Sequence, residues 1–454
     1  MSPLRILSCA LAAIALHACN QTSSEVGDPL PFPVDSLSAK ARQTDYIFDD
    51  DTVRRYDLLL SPESLAIIDA NPIQEQSVEG ALVVDGDTMS RVGIRYKGKE
   101  GAWYACVEKG PWGGGPKTCP LGMQIKINRV NKDTTFHGLK TFQLHAMSED
   151  PSKLVQRIGY WFYRQMGVPA PRVVHAELWI NGVYEGLFAH VEEIDGRFAR
   201  YHFREGTGNL YKEVWPLLYT GKAQPQAAFE AGLKTNESAP SVGMMLAFAQ
   251  RLEVAPNLDS IRGAIRSRMD LDEALSMVAV SYSLDDDDGA FHWYAEDAVS
   301  PQKSRPHNFY WYEEPAAGKL HLIPWDDDKM LQRVANPDTM SALELRDGWG
   351  DTSHNCQNYG WEWRQRSAAC DKLVQGLASY PAEYRAKLVK LNDGPFVAID
   401  PVLQKWERQL RAVVERNQDR NVNAISLGEW QAGVVATRAE LAAAKSALGR
   451  QVGK

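Results

Sequence analysis

Two short acidic runs carry the densest chemistry in this 454-residue chain: Asp285 to Asp288, in Leu-Asp-Asp-Asp-Asp-Gly, and Asp326 to Asp328, in Ile-Pro-Trp-Asp-Asp-Asp. Between them Phe309 and Trp311, then Leu320 and Leu322, fall at every second position, the period expected of paired strands. A hairpin built on that pattern carries both acidic runs toward one end. Carboxylates gathered in this way repel each other, so a folded chain keeps them chiefly where a cation or a transferable proton is there to use them. An EF-hand is excluded, because in that register Leu284 takes the first ligand position and Ala295 the twelfth. An irregular calcium loop and a merely solvated acidic turn compete with a catalytic reading.

The elements that must position these runs can be read in order. A strand is expected over 53–60. Ser61-Pro62-Glu63 then starts a helix, with a capping Ser and Pro at the first helical position. A hairpin over 81–96, turning at Asp85-Gly86-Asp87, delivers Arg95-Tyr96-Lys97-Gly98-Lys99 to a strand end. A loop with Gly110, Gly113, Gly114 and Gly115 follows. The next strand alternates cleanly and sets Lys126 with Gln124 and Asn128 on one face. A strand lysine near a glycine turn can neutralise phosphate; the plainer reading is a solvated lysine. After another strand over 136–144, Ser148-Glu149-Asp150-Pro151 opens a helix that runs to Met166 and stops at Gly167. Asn181-Gly182 between alternating runs is a strong hairpin signal. Helical patterns cover 239–280, 373–391, 401–418 and 427–448, and 347–370 reads as an irregular, Trp-rich segment.

The ends and the cysteines point to export. Arg5 precedes an apolar run over 6–16 that is too short for a stable bilayer span. Leu16-His17-Ala18-Cys19 resembles a bacterial lipobox, with Cys19 as the lipidated first residue of the mature chain. Asn20, rather than Asp, follows it, which in a Gram-negative cell favours the outer membrane. Residues 19–45 read as a tether. Cys106 with Cys119, and Cys356 with Cys370, form two sequence-local pairs expected as disulfides in an oxidising compartment. Neither pair has zinc-knuckle spacing. At net charge −8, with acidic residues in excess, the chain is a poor nucleic-acid partner. There is no G-x-S-x-G elbow, no H-E-x-x-H, and no P-loop at Gly221-Lys222. Thirteen Trp allow carbohydrate stacking, but Trp is equally a core residue.

Six motifs occur together and in order: Arg-Tyr-Lys-Gly at 95–98, His-Gly-Leu-Lys-Thr-Phe-Gln-Leu at 137–144, the run from Ile180 through Asn181-Gly182 to Glu192-Glu193-Ile194-Asp195, Asn-Leu-Tyr-Lys at 209–212, His-Asn-Phe-Tyr-Trp-Tyr at 307–312, and Ile-Pro-Trp-Asp-Asp-Asp at 323–328. Over about 46–450 the chain therefore resembles the CotH family, the spore-coat protein H type of atypical protein kinase. That resemblance implies an α+β, protein-kinase-like fold with two lobes, a mostly antiparallel small lobe and hinge over 46–195 and a helical large lobe over 196–454. It implies phosphate transfer from Mg-ATP, or its Mn2+ form, to a hydroxyl, on protein Ser or Thr. Lys126 would contact phosphate, with Arg95 and Lys97 near the nucleotide and Glu192 in the hinge beside adenine. Asp288 and Asn308 would be catalytic, and Asp326, Asp328 and Asn308 would hold the metal. By sequence Asp285, Asp286 and Asp287 are equal candidates for the Asp288 role. Residues 290–306 separate Asp288 from Asn308, which such catalytic loops normally keep close. The helix ending at Met166 has no acid after Leu154 to pair with the lysine, leaving Glu149 or another residue to substitute. The alternative is a catalytically silent surface protein of the same fold, acting in adhesion or envelope assembly, with membrane attachment through the lipid and a protein partner not specified by sequence.

Overall fold

A computed structural model describes residues 42–203, 205–295, 303–332, 355–359 and 364–453. The signal segment, Cys19, most of the tether and much of 347–370 lie outside the described residues. The fold is α+β, built on a large mixed sheet and a set of helices.

The mixed sheet is a closed barrel of seven strands: β1 (Arg54–Leu59), β2 (Val78–Val84), β3 (Asp87–Tyr96), β4 (Met123–Lys126), β5 (Thr141–His145), β6 (Val173–Ile180) and β7 (Val183–Val191), in the order β1-β2-β3-β4-β5-β7-β6. Every pairing is antiparallel except the one that closes it, β1 against β6, with Arg54 opposite Ala176 and Leu58 opposite Ile180. The Asn-Gly turn makes both the hairpin and the closure. Asn181 and Gly182 take positive φ, 49° and 80°, as a two-residue turn requires. The Asn181 side chain then brackets the end of β1, accepting from the Leu60 amide at 2.9 Å and donating to the Leu60 carbonyl at 3.0 Å. Closing a sheet removes the unpaired edges that invite aggregation. Inside the barrel Leu58, Leu82, Ile94, Ile125 and Phe142 are fully buried.

A second core gathers the helices around a three-stranded sheet, ordered β11-β10-β8, of β8 (Asn209–Lys212), β10 (Phe309–Glu314) and β11 (Lys319–Pro324). The short β9 (Trp293–Tyr294) pairs with β12 (Gln365–Arg366). The expected hairpin is present: Phe309 faces Pro324, so Asn308 and Trp325 meet at its mouth. Both faces of β10 are buried, which the alternation of apolar residues alone did not require.

Helix boundaries depart from the expected ones where prolines and caps intervene. The 148–166 helix is Val155–Gln165, preceded by turns, with Gly167 at φ 82° as its stop. The 239–280 stretch divides into Gly243–Val254, Leu258–Arg268 and Leu271–Ser283, because Asn257 and Asp270 accept from backbone amides and start new helices. The 373–391 stretch breaks before Pro381, which begins Pro381–Asp393. Pro401 starts nothing; it lies inside Pro395–Asn417. Leu427–Val452 opens on a capping box of Ser426 and Glu429. Both disulfides are formed, Cys106 to Cys119 with Cα atoms 4.9 Å apart and Cys356 to Cys370 at 5.5 Å.

One buried pair ties β11 to the helices. Burial alone would lower the pKa of His321, but the Glu273 carboxylate 3.0 Å from Nδ1, with Glu314 beyond it, outweighs burial and raises it to about 9. A base whose folded pKa exceeds its unfolded value stabilises the fold fully below about pH 6.5 and loses that contribution as pH rises through about 9. Denaturant unfolding of His321→Gln against the parent should differ by on the order of 2 kcal/mol at pH 6 and converge by pH 10; a difference independent of pH would contradict the pairing.

Candidate active site

Two acidic loops and one helix face build the site. The first loop leaves the helix Leu271–Ser283: Leu284 caps it, Asp285 turns the chain at φ 53°, and the Asp286 amide returns to the Ser281 carbonyl at 3.0 Å. Gly289 is required there, since a Cβ would collide with the Asp286 carboxylate. The second loop leaves β11, with Asp326 at φ 58° and a 3-10 turn over Asp327–Lys329. The Leu331 amide donates to the Leu284 carbonyl at 2.8 Å and joins the loops. Asp285, Asn308 and Asp326 all adopt the left-handed region, which Asp and Asn tolerate better than most side chains. Backbone strain of this kind concentrates at functional sites.

The helix Val155–Gln165 lays one stripe across these loops, at the three- and four-residue spacing of a helix face. Gln156 donates to Asp326 Oδ1 at 3.4 Å, Tyr160 Oη accepts from the Asp326 amide at 2.8 Å, and Tyr163 Oη donates to Asp286 Oδ2 at 3.2 Å. Gly159, in the same stripe, leaves room for Asp327 and Met330.

Asp288 and Asn308 meet in space although the sequence separates them. Asn308 Nδ2 donates to Asp288 Oδ2 at 2.8 Å and to its carbonyl at 3.0 Å, while the Tyr294 hydroxyl donates to Oδ1. Burial, with the field of Asp326, holds Asp288 above the usual carboxylate range against the lowering effect of Tyr294. Burial, Asp287 and Asp288 push Asp286 up to about 7. Asp327 is raised well above its ordinary value by burial, Asp286 and Asp326, and its Oδ2 is buried with no hydrogen-bond partner among the described residues. The protein around Asp328 and the charge of Asp326 raise Asp328 too, although its side chain reaches the solvent.

Facing the acids is a cationic group from the barrel. Lys97, just past β3, donates from Nζ to His145 Nε2 at 2.8 Å, and His145 Nδ1 lies 3.5 Å from Asp326 Oδ1. Burial lowers the Lys97 pKa, opposed by Asp326 and Glu193. Lys97 and Lys212 flank Trp325, their Nζ atoms 5.5 and 5.9 Å from its ring centre.

The CotH kinase protein model matches residues 120–439. The chain belongs to this family. It is also 20% identical over 301 residues to the inner spore coat protein H of Bacillus subtilis (strain 168), covering 63% of this chain and 78% of that protein. A 63-residue stretch is 40% identical to an inner spore coat protein H-like protein of the same organism, 14% of this chain and 20% of the relative. The family match begins after Arg95 and Lys97.

The residues expected at the site divide by placement. Asp288, Asn308, Asp326, Asp328 and Lys97 come together around the hairpin mouth. Lys126 does not join them. It is exposed at the end of β4 opposite Gly93, about four residues, or ~13 Å, along the ladder from Lys97. Arg95 is held by Glu75 and by Gln124, at 3.1 Å, on the barrel wall. Glu192 does not present a carboxylate to a ligand: it is buried against Arg172 and His202, which hold it far below the usual range in spite of burial. Glu149 pairs with Lys329, not with Lys97. Sequence reasoning missed His145, Lys212, Tyr294 and Trp325. The Asn-Leu-Tyr-Lys and Ile-Pro-Trp-Asp-Asp-Asp motifs contained the signal for Lys212 and Trp325.

A hard divalent cation suits this donor set. Asp326, Asp328 and the Asn308 Oδ1 would offer oxygen ligands, with the Asp327 Oδ2 buried behind them without a hydrogen-bond partner among the described residues. Among the described residues no three His, Cys, Asp or Glu are gathered closely enough to hold a metal by themselves.

Acids with raised folded pKa values stabilise the fold least when ionised. In chelator, stability should therefore fall as pH rises from about 4 toward about 7, the window set by Asp286. Magnesium should restore the melting temperature at pH 8 and do little at pH 4.5; a flat profile in chelator would refute the crowding. A Cβ on Gly159 would lie 2.5 Å from Met330 Sδ and 3.1 Å from Asp327 Cβ. Gly159→Ala should cost about 1 to 3 kcal/mol and blunt the magnesium effect, read by the same melts.

Proposed function

We propose that the protein is a kinase-like phosphotransferase that moves the terminal phosphoryl group of a magnesium nucleotide to a hydroxyl, on Ser or Thr of a protein. The observation that carries this reading is the pairing of Asp288 with Asn308 at the mouth of the same hairpin that brings Asp326 to within 3.5 Å of the His145 bonded to Lys97. In this reading the barrel is the small lobe, the helical core is the large lobe, and the nucleotide enters between them.

Phosphoryl transfer asks a protein mainly for charge neutralisation and in-line placement. Asp288 accepts the proton of the acceptor hydroxyl. Its upward shift suits that task, because a base works best with a pKa nearer the working pH. Tyr294 and Asn308 aim the carboxylate and leave lone pairs for the acceptor. Lys97 and Lys212 offset phosphate charge beside Trp325. Asp326, Asp328 and Asn308 would hold magnesium, which would supply charge neutralisation there. We also take the chain to be exported and anchored through Cys19 at the outer membrane, a reading supported by the two disulfides.

Purified protein with its disulfides intact, given labelled ATP, magnesium or manganese and a Ser/Thr-rich acceptor, should transfer label. Asp288→Asn should reduce transfer about 100-fold or more, Asp326→Asn should abolish it, and Lys97→Met should reduce it far more than Lys126→Met. Absence of transfer, together with absence of metal-dependent nucleotide binding in calorimetry, would sink the reading and leave a non-catalytic surface role for the fold.

A further inference from the structure

The helix beside the acidic loops offers Lys97 no carboxylate. Its residue facing Asp326 is Gln156, and Val155–Gln165 contains neither Asp nor Glu. Glu149 is bonded to Lys329, and Glu193 takes the Gln143 amide. The group that Lys97 meets is an imidazole, on the last residue of β5.

We propose that His145 is the positioning residue of this site, a neutral imidazole that couples Lys97 on the barrel to Asp326 on the helical core. This rests on the phosphotransferase reading for its catalytic consequence, though the coupling itself does not. An ammonium group can only donate, so at 2.8 Å from Lys97 Nζ the His145 Nε2 must accept. An imidazole that accepts at Nε2 carries its proton on Nδ1, and Nδ1 is the atom 3.5 Å from Asp326 Oδ1. The Lys97 contact thus selects the tautomer, with the Nδ1 proton on the side of Asp326. That distance is long for a hydrogen bond, as contacts of an unliganded site often are before they tighten in the complex. Trp325 clamps the ring from the side, edge-on at 88° with centroids 5.8 Å apart, and itself receives Lys97 over its face. Since β5 belongs to the barrel and Asp326 to the second core, the bridge sets the spacing between the cation and the acid across the gap where a polyphosphate and its metal would lie.

Two measurements test it on the intact protein. With 15N-histidine label at pH 7.5, the resonances lost in His145→Gln should report an Nδ1-protonated neutral ring, and Lys97→Met should move the Nε2 signal. An Nε2-protonated ring, or an Nε2 signal unmoved by Lys97→Met, overturns the coupling. In the transfer assay His145→Ala should lower kcat/KM about 10- to 100-fold, chiefly through KM for the magnesium nucleotide. His145→Asn, which can still offer a donor toward Asp326, should recover part of the loss. The loss should nearly vanish in a Lys97→Met background, because coupled residues are not additive. Equal losses in both backgrounds overturn the proposal. If the parent protein transfers nothing, the phosphotransferase reading fails while the tautomer measurement still decides the bridge.

Discussion

Asp286, Asp287 and Asp288 from one loop, and Asp326, Asp327 and Asp328 from another, share the end of one hairpin, and their repulsion is the condition the surrounding structure has to meet. Burial, and then that repulsion, push Asp286, Asp288, Asp327 and Asp328 above the usual carboxylate range. The fold tolerates it by directing donors at the acids, Tyr163 and Ser281 at Asp286, Tyr294 and Asn308 at Asp288, Gln156 at Asp326, while Tyr160 accepts from the Asp326 amide and fixes that backbone. Buried polar groups are costly when unsatisfied and rigid when fully satisfied. The network is therefore firm around Asp288 and incomplete at Asp327, whose Oδ2 finds no partner among the described residues.

The helix Val155–Gln165 makes this arrangement possible because it is pinned on its other faces. Arg157, buried, bonds the Asp50 carboxylate and His175 Nδ1, the latter at 2.9 Å. Asp50 in turn takes Lys405 Nζ at 2.9 Å and the Trp406 indole at 3.2 Å from the helix Pro395–Asn417. At its start, the Trp430 indole from Leu427–Val452 donates to the Ser152 carbonyl at 3.0 Å. The last helices thus position the site without touching it. The second link between the cores is the Arg172, Glu192 and His202 cluster just after β7. A residue assigned to the hinge from its motif belongs to that cluster because a buried carboxylate is kept ionised only by such partners.

What could be read from sequence was what local chemistry decides. Ser61-Pro62, Asn181-Gly182 and the β10 and β11 hairpin are specified within a few residues, and each formed as expected. The acidic loops were found because like charges in sequence stay near in space. Non-local pairing was not legible. Strand alternation set Lys126 on one face with Gln124, the less buried face of β4, but it cannot say which end of the ladder meets the acids. His145 was lost by one residue, since the recognised run ended at Leu144 while β5 continues to His145.

The separation of Asp288 from Asn308 shows why an insertion need not dismantle a site. The cost of closing a loop rises only with the logarithm of its length, about 0.6 kcal/mol for each doubling. What matters is whether its two ends are held. Here Tyr294 and Arg305 exchange backbone hydrogen bonds at 3.4 and 3.1 Å, and the Ala295 amide donates to the Arg364 carbonyl at 2.8 Å. The same Tyr294 sends its hydroxyl to Asp288, and His307, next to Asn308, stacks on its ring at 4.1 Å. One tyrosine therefore pins the base of the insertion and aims the carboxylate. The approach of Asp288 to Asn308 is held at this bridge, and a change at Tyr294 reaches both the loop base and the carboxylate.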